Sequence, residues 1–283
     1  MKQYCRVYMY YVLLGAALLV FPIFVTGCDK KMEEENKMKE VVESPGASIA
    51  EMSKMRILFG HVSLGNNIIA GLEDIKAKDK KLDVLAISKI ESPQEMHEHG
   101  FYHFIVRRNG YPKEKCDNFK RMLMQDNLGE SLDVAFFKFC YVDIEKDTDI
   151  DEVFKYYLET IQQVRSAYPN LKILHVTVPL YSHGRGIKGF IKRLFKTDYN
   201  NTKRNEYNEK LRNKFAGIAP IYDLADIEST RPDGTRASFK HNGETYFSLV
   251  NEYTHDGGHL NEVGRRRAAM GLLEVLCKVV SQK

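Results

Sequence analysis

The feature that most constrains this chain is an alternation. Apolar runs of strand length, rich in Val, Ile and Phe, occur at 56–60, 82–88, 132–141, 172–179 and 220–224. Segments with helical spacing lie between and after them, at 64–77, 113–125, 150–168, 200–214 and 261–280. Several runs are continuously hydrophobic, as strands buried on both faces are. Such an alternation predicts an α/β fold, a parallel sheet of about five strands with helices on both sides. The 150–168 segment shows the pattern most fully. Ile150, Val153, Tyr157, Leu158, Ile161 and Val164 share one face, and acids from Asp147 to Asp151 suit the start of a helix. Farther along, His241-Asn242-Gly243-Glu244 predicts a hairpin turn within 237–247.

The amino-terminal region reads differently. Lys2 and Arg6 accompany an almost wholly apolar stretch, 8–25, which runs into Val25-Thr26-Gly27-Cys28. This resembles a bacterial lipobox, which implies that residues 1–28 are a signal peptide and that Cys28 carries a lipid. A plain transmembrane anchor is the alternative, because the apolar run approaches the ~20 residues a span needs. Either reading places the protein at a membrane of the bacterial cell envelope, exported. Residues 29–54 are charged and poor in aromatics, the composition of a flexible tether. Residues 55–283 are then one folded domain, long enough for a single core.

The net charge of +4 is small for this length. Arg265-Arg266-Arg267 falls on a predicted helix face, so it reads as a solvated face and no nucleic-acid partner is expected. Cys116, Cys140 and Cys277 sit in apolar surroundings and read as buried free thiols. No Cys/His spacing fits a structural zinc site, and Gly184-Arg185-Gly186 lacks the context of a nucleotide loop. Neither a metal nor another cofactor is expected.

Two short segments carry the chemistry. In Ile57-Leu58-Phe59-Gly60-His61-Val62-Ser63-Leu64-Gly65, a strand ends at a glycine and a serine stands where a helix begins. In His255-Asp256-Gly257-Gly258-His259-Leu260-Asn261, a carboxylate precedes a histidine by three residues, in a glycine-rich turn ahead of the last helix. Both fall at the carboxyl-terminal edge of a parallel sheet, where such folds bind ligands. Ser63, His259 and Asp256 supply a nucleophile, a base and an orienting acid. Each also has a plainer role: Ser63 as a helix N-cap, Asp256 as a turn residue bonding local backbone.

These segments resemble the first and last blocks of the SGNH, or GDSL-like, hydrolase superfamily. The resemblance implies a flavodoxin-like, three-layer α/β/α sandwich and a serine esterase, with Ser63, Asp256 and His259 as its triad. The usual Gly-Asp-Ser is here Gly60-His61-Val62-Ser63. The family completes its oxyanion hole with a glycine and an asparagine from two middle blocks. Asn109 and Gly110, in Arg107-Arg108-Asn109-Gly110-Tyr111-Pro112, are candidates for the first, beside the Ser63 N–H itself. Asn-Gly-x-Pro also reads simply as a turn. Val142 falls where the asparagine belongs, so one donor is missing.

The implied substrate is a small-molecule or glycan ester, for instance an O-acetyl group on a carbohydrate. An envelope O-acyltransferase would use the same three residues, and a non-catalytic glycan- or partner-binding lipoprotein could keep the fold. Four further features stay open at this level. His61 either reaches the site mouth or packs under the first loop. His255 with Asp256 and His259 could be metal ligands. Lys138 either points toward a carboxylate such as Asp143 or emerges at the sheet edge. The basic, amphipathic 181–199 segment is a surface helix, a lid or a membrane-facing patch.

Overall fold

The computed structural model describes residues 49–281 apart from 83, 97 and 184–196. Cys28, the apolar leader and most of the predicted tether lie outside the described residues, as does most of the 181–199 segment.

Helix α1 (Ile49–Met52) leads into β1 (Arg56–His61), which is followed by α2 (Leu64–Lys76). Next come β2 (Ile87–Lys89), β3 (Gly100–Ile105), α3 (Pro112–Met124), α4 (Leu128–Ser131) and β4 (Val134–Phe137). Then follow α5 (Ile150–Ala167), β5 (Lys172–Ile173), β6 (His175–Val176), α6 (Thr197–Phe215), β7 (Ile221–Tyr222) and α7 (Leu224–Ser229). A hairpin, β8 (Ser238–His241) and β9 (Glu244–Phe247), precedes the last helix, α8 (Glu262–Ser281).

The main sheet has the order β2-β3-β1-β4-β5 and every pairing in it is parallel. The run predicted at 172–179 is split in two because it changes partners. Lys172 and Ile173 pair with β4, whereas His175 and Val176 pair with β7. Side-chain alternation along the strands builds the layers. Ile57, Phe59, Phe101 and Phe136 face one way and pack with the apolar stripes of α2 and α8. Leu58, Tyr102, Phe104 and Phe137 face the other way and meet α3, α5 and α6. The result is the expected α/β/α sandwich. Each such side chain contributes about 1.5–3 kcal/mol of burial relative to exposure.

Two expectations are corrected here. The folded body does not start at residue 55: Ile49 and Met52 are 3% and 0% exposed within the core that α8 lines. Their i,i+3 spacing gives one apolar turn at the end of an otherwise charged stretch. The second correction is β3, a central strand absent from the predicted set. It pairs with β1 along its whole length, His61 opposite Ile105.

Topology fixes where a ligand can go. Helix α2 leaves β1 toward one face of the sheet and α3 leaves β3 toward the other. Loops of adjacent strands therefore diverge between β1 and β3, and a crevice opens at their carboxyl ends.

Candidate active site

Ser63 stands at the first turn of α2, yet it makes no side-chain cap. Its backbone is at φ 51°, ψ −109°, a conformation that L side chains rarely adopt. Strain of this kind persists where the surroundings over-determine it. Here it turns Oγ away from the helix end to meet His259 Nε2 at 2.5 Å. The plain N-cap role is thereby ruled out.

His259 is held from its other nitrogen. Nδ1 donates to Asp256 Oδ2 at 2.6 Å. Asp256 Oδ1 accepts from the N–H groups of Gly258 (2.9 Å) and His259 (2.8 Å). Burial pushes the Asp256 carboxyl upward in pKa, but the Gly258 N–H, the His259 imidazole and the His259 N–H outweigh it and hold it well below the ordinary carboxylate range. The carboxylate is therefore ionised at neutral pH and accepts, so Nδ1 carries the imidazole proton and Nε2 is left as the acceptor for Ser63. Both ring nitrogens are engaged, which leaves none for a metal shared with His255 and Asp256. Among the described residues no three His, Cys, Asp or Glu side chains gather as metal ligands.

The turn bearing Asp256 and His259 is locked from several sides. Thr254 Oγ1 accepts from the Gly257 N–H at 2.9 Å. The Leu260 N–H donates to Asn67 Oδ1 of α2 at 3.2 Å, and Arg265 of α8 donates to Asp74 of α2 at 2.6 Å. The serine and histidine elements are thus tied by their own helices. Gly257 has φ 96°, and a Cβ there would lie 2.8 Å from the Tyr181 ring. Tyr181 uses that closeness to donate its hydroxyl to the Asp256 carbonyl at 2.8 Å. Tyr141 packs on Gly258 and edge-on to His259, with ring centroids 6.0 Å apart. Burial, Cys140 and Asp256 push its phenol up to about 12, so it stays neutral beside the imidazole.

The predicted oxyanion donors fare unevenly. Gly110 donates its N–H to Asp143 Oδ1 at 2.7 Å, and Asn109 Oδ1 accepts from Lys115 Nζ at 3.0 Å. Gly110 therefore has no N–H to offer and Asn109 is drawn to the α3 lysine, so both read as parts of the turn. The structure brings Ser63, Asp256 and His259 together and leaves these two out. Ser63 and Arg107 are among the residues at these loop ends whose backbone N–H has no acceptor among the described residues. Arg107 adopts φ 119°, a glycine-like backbone. The β1–β3 ladder closes with the Val106 N–H donating to the His61 carbonyl at 3.1 Å, two residues before Ser63 and one before Arg107. Without β3 its position could not be read from the sequence.

The other open residues are also placed. His61 is fully buried, stacked under the first loop, with Nε2 3.0 Å from His103 Nδ1. A Cβ on Gly65 would come within 2.4 Å of its ring, so residue 65 must be glycine for the loop to close over it. Lys138 does not emerge at the sheet edge: it is buried, donates to the Phe139 carbonyl at 3.3 Å and lies in the field of the Asp143 and Glu228 carboxylates, while the direct ion pair with Asp143 is made by Lys115. Cys116, Cys140 and Cys277 are buried free thiols.

No protein-family model matches the chain, and no curated protein does. Among solved structures, it is similar to a Streptococcus pneumonia protein at 17% identity, covering 88% of this chain and 93% of that one, with a TM-score of 0.49. It is similar to an acetyl xylan esterase at 18% identity (77% and 98% covered, TM-score 0.42). A carbohydrate esterase family 3 structure from Talaromyces cellulolyticus aligns at 12% identity (81% and 98%, TM-score 0.46). These likenesses are loose.

Proposed function

We propose that this protein is a serine esterase of SGNH type that removes a small acyl group, such as acetyl, from a carbohydrate or another alcohol. The observation that carries the reading is the continuous array from Ser63 Oγ through His259 to Asp256, on a serine whose backbone strain serves that contact rather than a helix cap.

Ser63 Oγ attacks the ester carbonyl while its proton passes to His259 Nε2, forming a tetrahedral oxyanion. The N–H groups of Ser63 and Arg107, without an acceptor among the described residues, are our candidates for donors to that oxygen. Asp256 stabilises the imidazolium. Collapse breaks the bond to the alcohol, and His259 returns the proton to that leaving oxygen. Water, deprotonated by the same histidine, then releases the acid and restores Ser63. The His259 and Asp256 side chains are 44% and 56% exposed, which gives water access and supports hydrolysis over transfer to a second alcohol. The lipobox-like Val25-Thr26-Gly27-Cys28 supports anchoring in the bacterial envelope through a lipid on Cys28.

The test is hydrolysis of p-nitrophenyl acetate and longer esters by the full chain in detergent, beside Ser63→Ala. Turnover should disappear with the serine, and the chain-length profile should fall off beyond short acyl groups. Equal rates in both folded proteins would remove the esterase reading.

A further inference from the structure

A cleft of about 540 Å³ lies over β2, β3 and α3 and reaches the loop after β1 at Val62. Val62, the residue before the nucleophile, forms one wall. Lys89, Arg107, Arg108 and Arg121 also line it, against Glu91 as the one lining carboxylate. Two of the cations are partly neutralised. Lys89 lies 3.7 Å from Glu91, and Arg108 lies 3.9 Å from Glu114 and over the Tyr111 ring. Arg107 and Arg121 have no carboxylate within 4 Å among the described residues. Arg107 comes off β3 with the strained φ of 119°, one residue after Val106, whose N–H bonds the His61 carbonyl, and Arg121 comes from α3. Two unpaired guanidinium forks facing one cleft, on a chain of only +4 net charge, are a local concentration of donors rather than a general basicity. Planar, multi-donor guanidinium groups match oxyanions.

We propose that this cleft binds an anionic group, a carboxylate or a phosphate, carried by the non-reacting part of the substrate, so that the enzyme prefers acidic esters to neutral ones. The inference rests on the esterase reading for the word ester, while the anion site stands on the cleft itself. Arg107 has two functions on this account: its backbone N–H faces the reacting oxygen and its guanidinium holds the substrate's charge.

The experiment uses ester pairs that differ by one charge. For turnover by the full chain, 4-acetoxybenzoate is compared with its methyl ester, and 4-acetoxyphenyl phosphate serves as the phosphate arm. For binding without chemistry, Ser63→Ala is titrated calorimetrically with 4-acetamidobenzoate and with its methyl ester. The expected kcat/KM ratio favours the charged member by on the order of tenfold, the scale of a charge-assisted contact at a partly open site. The ratio should fall toward one in Arg107→Gln/Arg121→Gln and in high salt. Whichever of the carboxylate and phosphate arms is preferred identifies the anion. A charged-to-neutral ratio of one or below in the unmodified chain, with equal binding of both amides to Ser63→Ala, would overturn the proposal. Binding of the acid amide that is lost in the arginine variant, without turnover of any ester, would keep the anion site and remove the esterase reading instead.

Discussion

Replacing Asp256 by Asn tests the proposed division of labour most finely, because it changes charge and donor type with little change in shape. Asp256 Oδ1 accepts two backbone N–H groups, so the Asn carbonyl will face them and its NH₂ will face His259 Nδ1. A donor there drives the imidazole to the other tautomer, with the proton on Nε2, and the acceptor that Ser63 requires is lost. The carboxylate's attraction for the imidazolium is lost as well. Two charges about 4 Å apart interact by roughly 4 kcal/mol at an effective dielectric near 20. Both side chains are about half exposed, so solvent screening brings this to about 1–2 kcal/mol. That alone is roughly five- to thirtyfold in rate. The tautomer penalty adds to it, and the same exchange in a serine protease triad costs about 10⁴. The expected fall in kcat is thus about 10²–10⁴, with KM little changed, measured on p-nitrophenyl acetate beside thermal melts of both proteins. A fall below tenfold in a folded variant would refute the reasoning, because the imidazole would then not depend on Asp256 for its tautomer.

Lys115 and Asp143 form a fully buried pair that ties α3 to the loop after β4. Lys115→Met leaves the carboxylate with only the Gly110 and Cys140 N–H groups, and urea denaturation should register a loss of about 3–5 kcal/mol. Gly71→Ala should destabilise by about 1–3 kcal/mol and slow turnover, since the new Cβ would lie 2.3 Å from the Arg265 carbonyl and force α2 and α8 apart. Glu228 is buried and burial raises its carboxyl to about 8. The folded protein therefore holds a proton that the unfolded chain releases near pH 4.3, and its stability from this group falls as pH rises from about 4.5 to 8. Glu228→Gln should flatten that slope, with a gain on the order of 4 kcal/mol at pH 8 and about 1 kcal/mol at pH 5, seen as denaturation midpoints at the two values.

The grouping of Ser63, Asp256 and His259 was legible because its parts lie in local sequence contexts. Ser63 follows a run that can only be a buried strand, and Asp256 and His259 sit in one turn before a well-patterned helix. The layers were legible from the same runs, whose alternate residues divide between two cores. What failed was non-local. Gly100-Phe101-Tyr102-His103-Phe104-Ile105 has the aromatic residues of a strand, but it follows a polar, histidine-rich stretch and carries His103 at its centre. That histidine is accommodated only because His61 of β1 meets it from the neighbouring strand. With β3 unassigned, the resemblance alone put Asn109 and Gly110 forward as oxyanion donors, and Arg107 was not considered. A glycine-like φ on an arginine leaves no trace in sequence. Lys138 and Asp143 share a loop in sequence, but which lysine reaches the carboxylate was decided by α3, where Lys115 arrives from the opposite side.

The most direct test of the central claim is covalent labelling of the full chain with a fluorophosphonate, mapped by tandem mass spectrometry. The account predicts a single modification on Ser63, abolished by Ser63→Ala and slowed at least a hundredfold by His259→Ala, because only an activated hydroxyl displaces the fluoride at a useful rate. A folded protein that stays unlabelled, or one that reacts equally well with His259 removed, would contradict it.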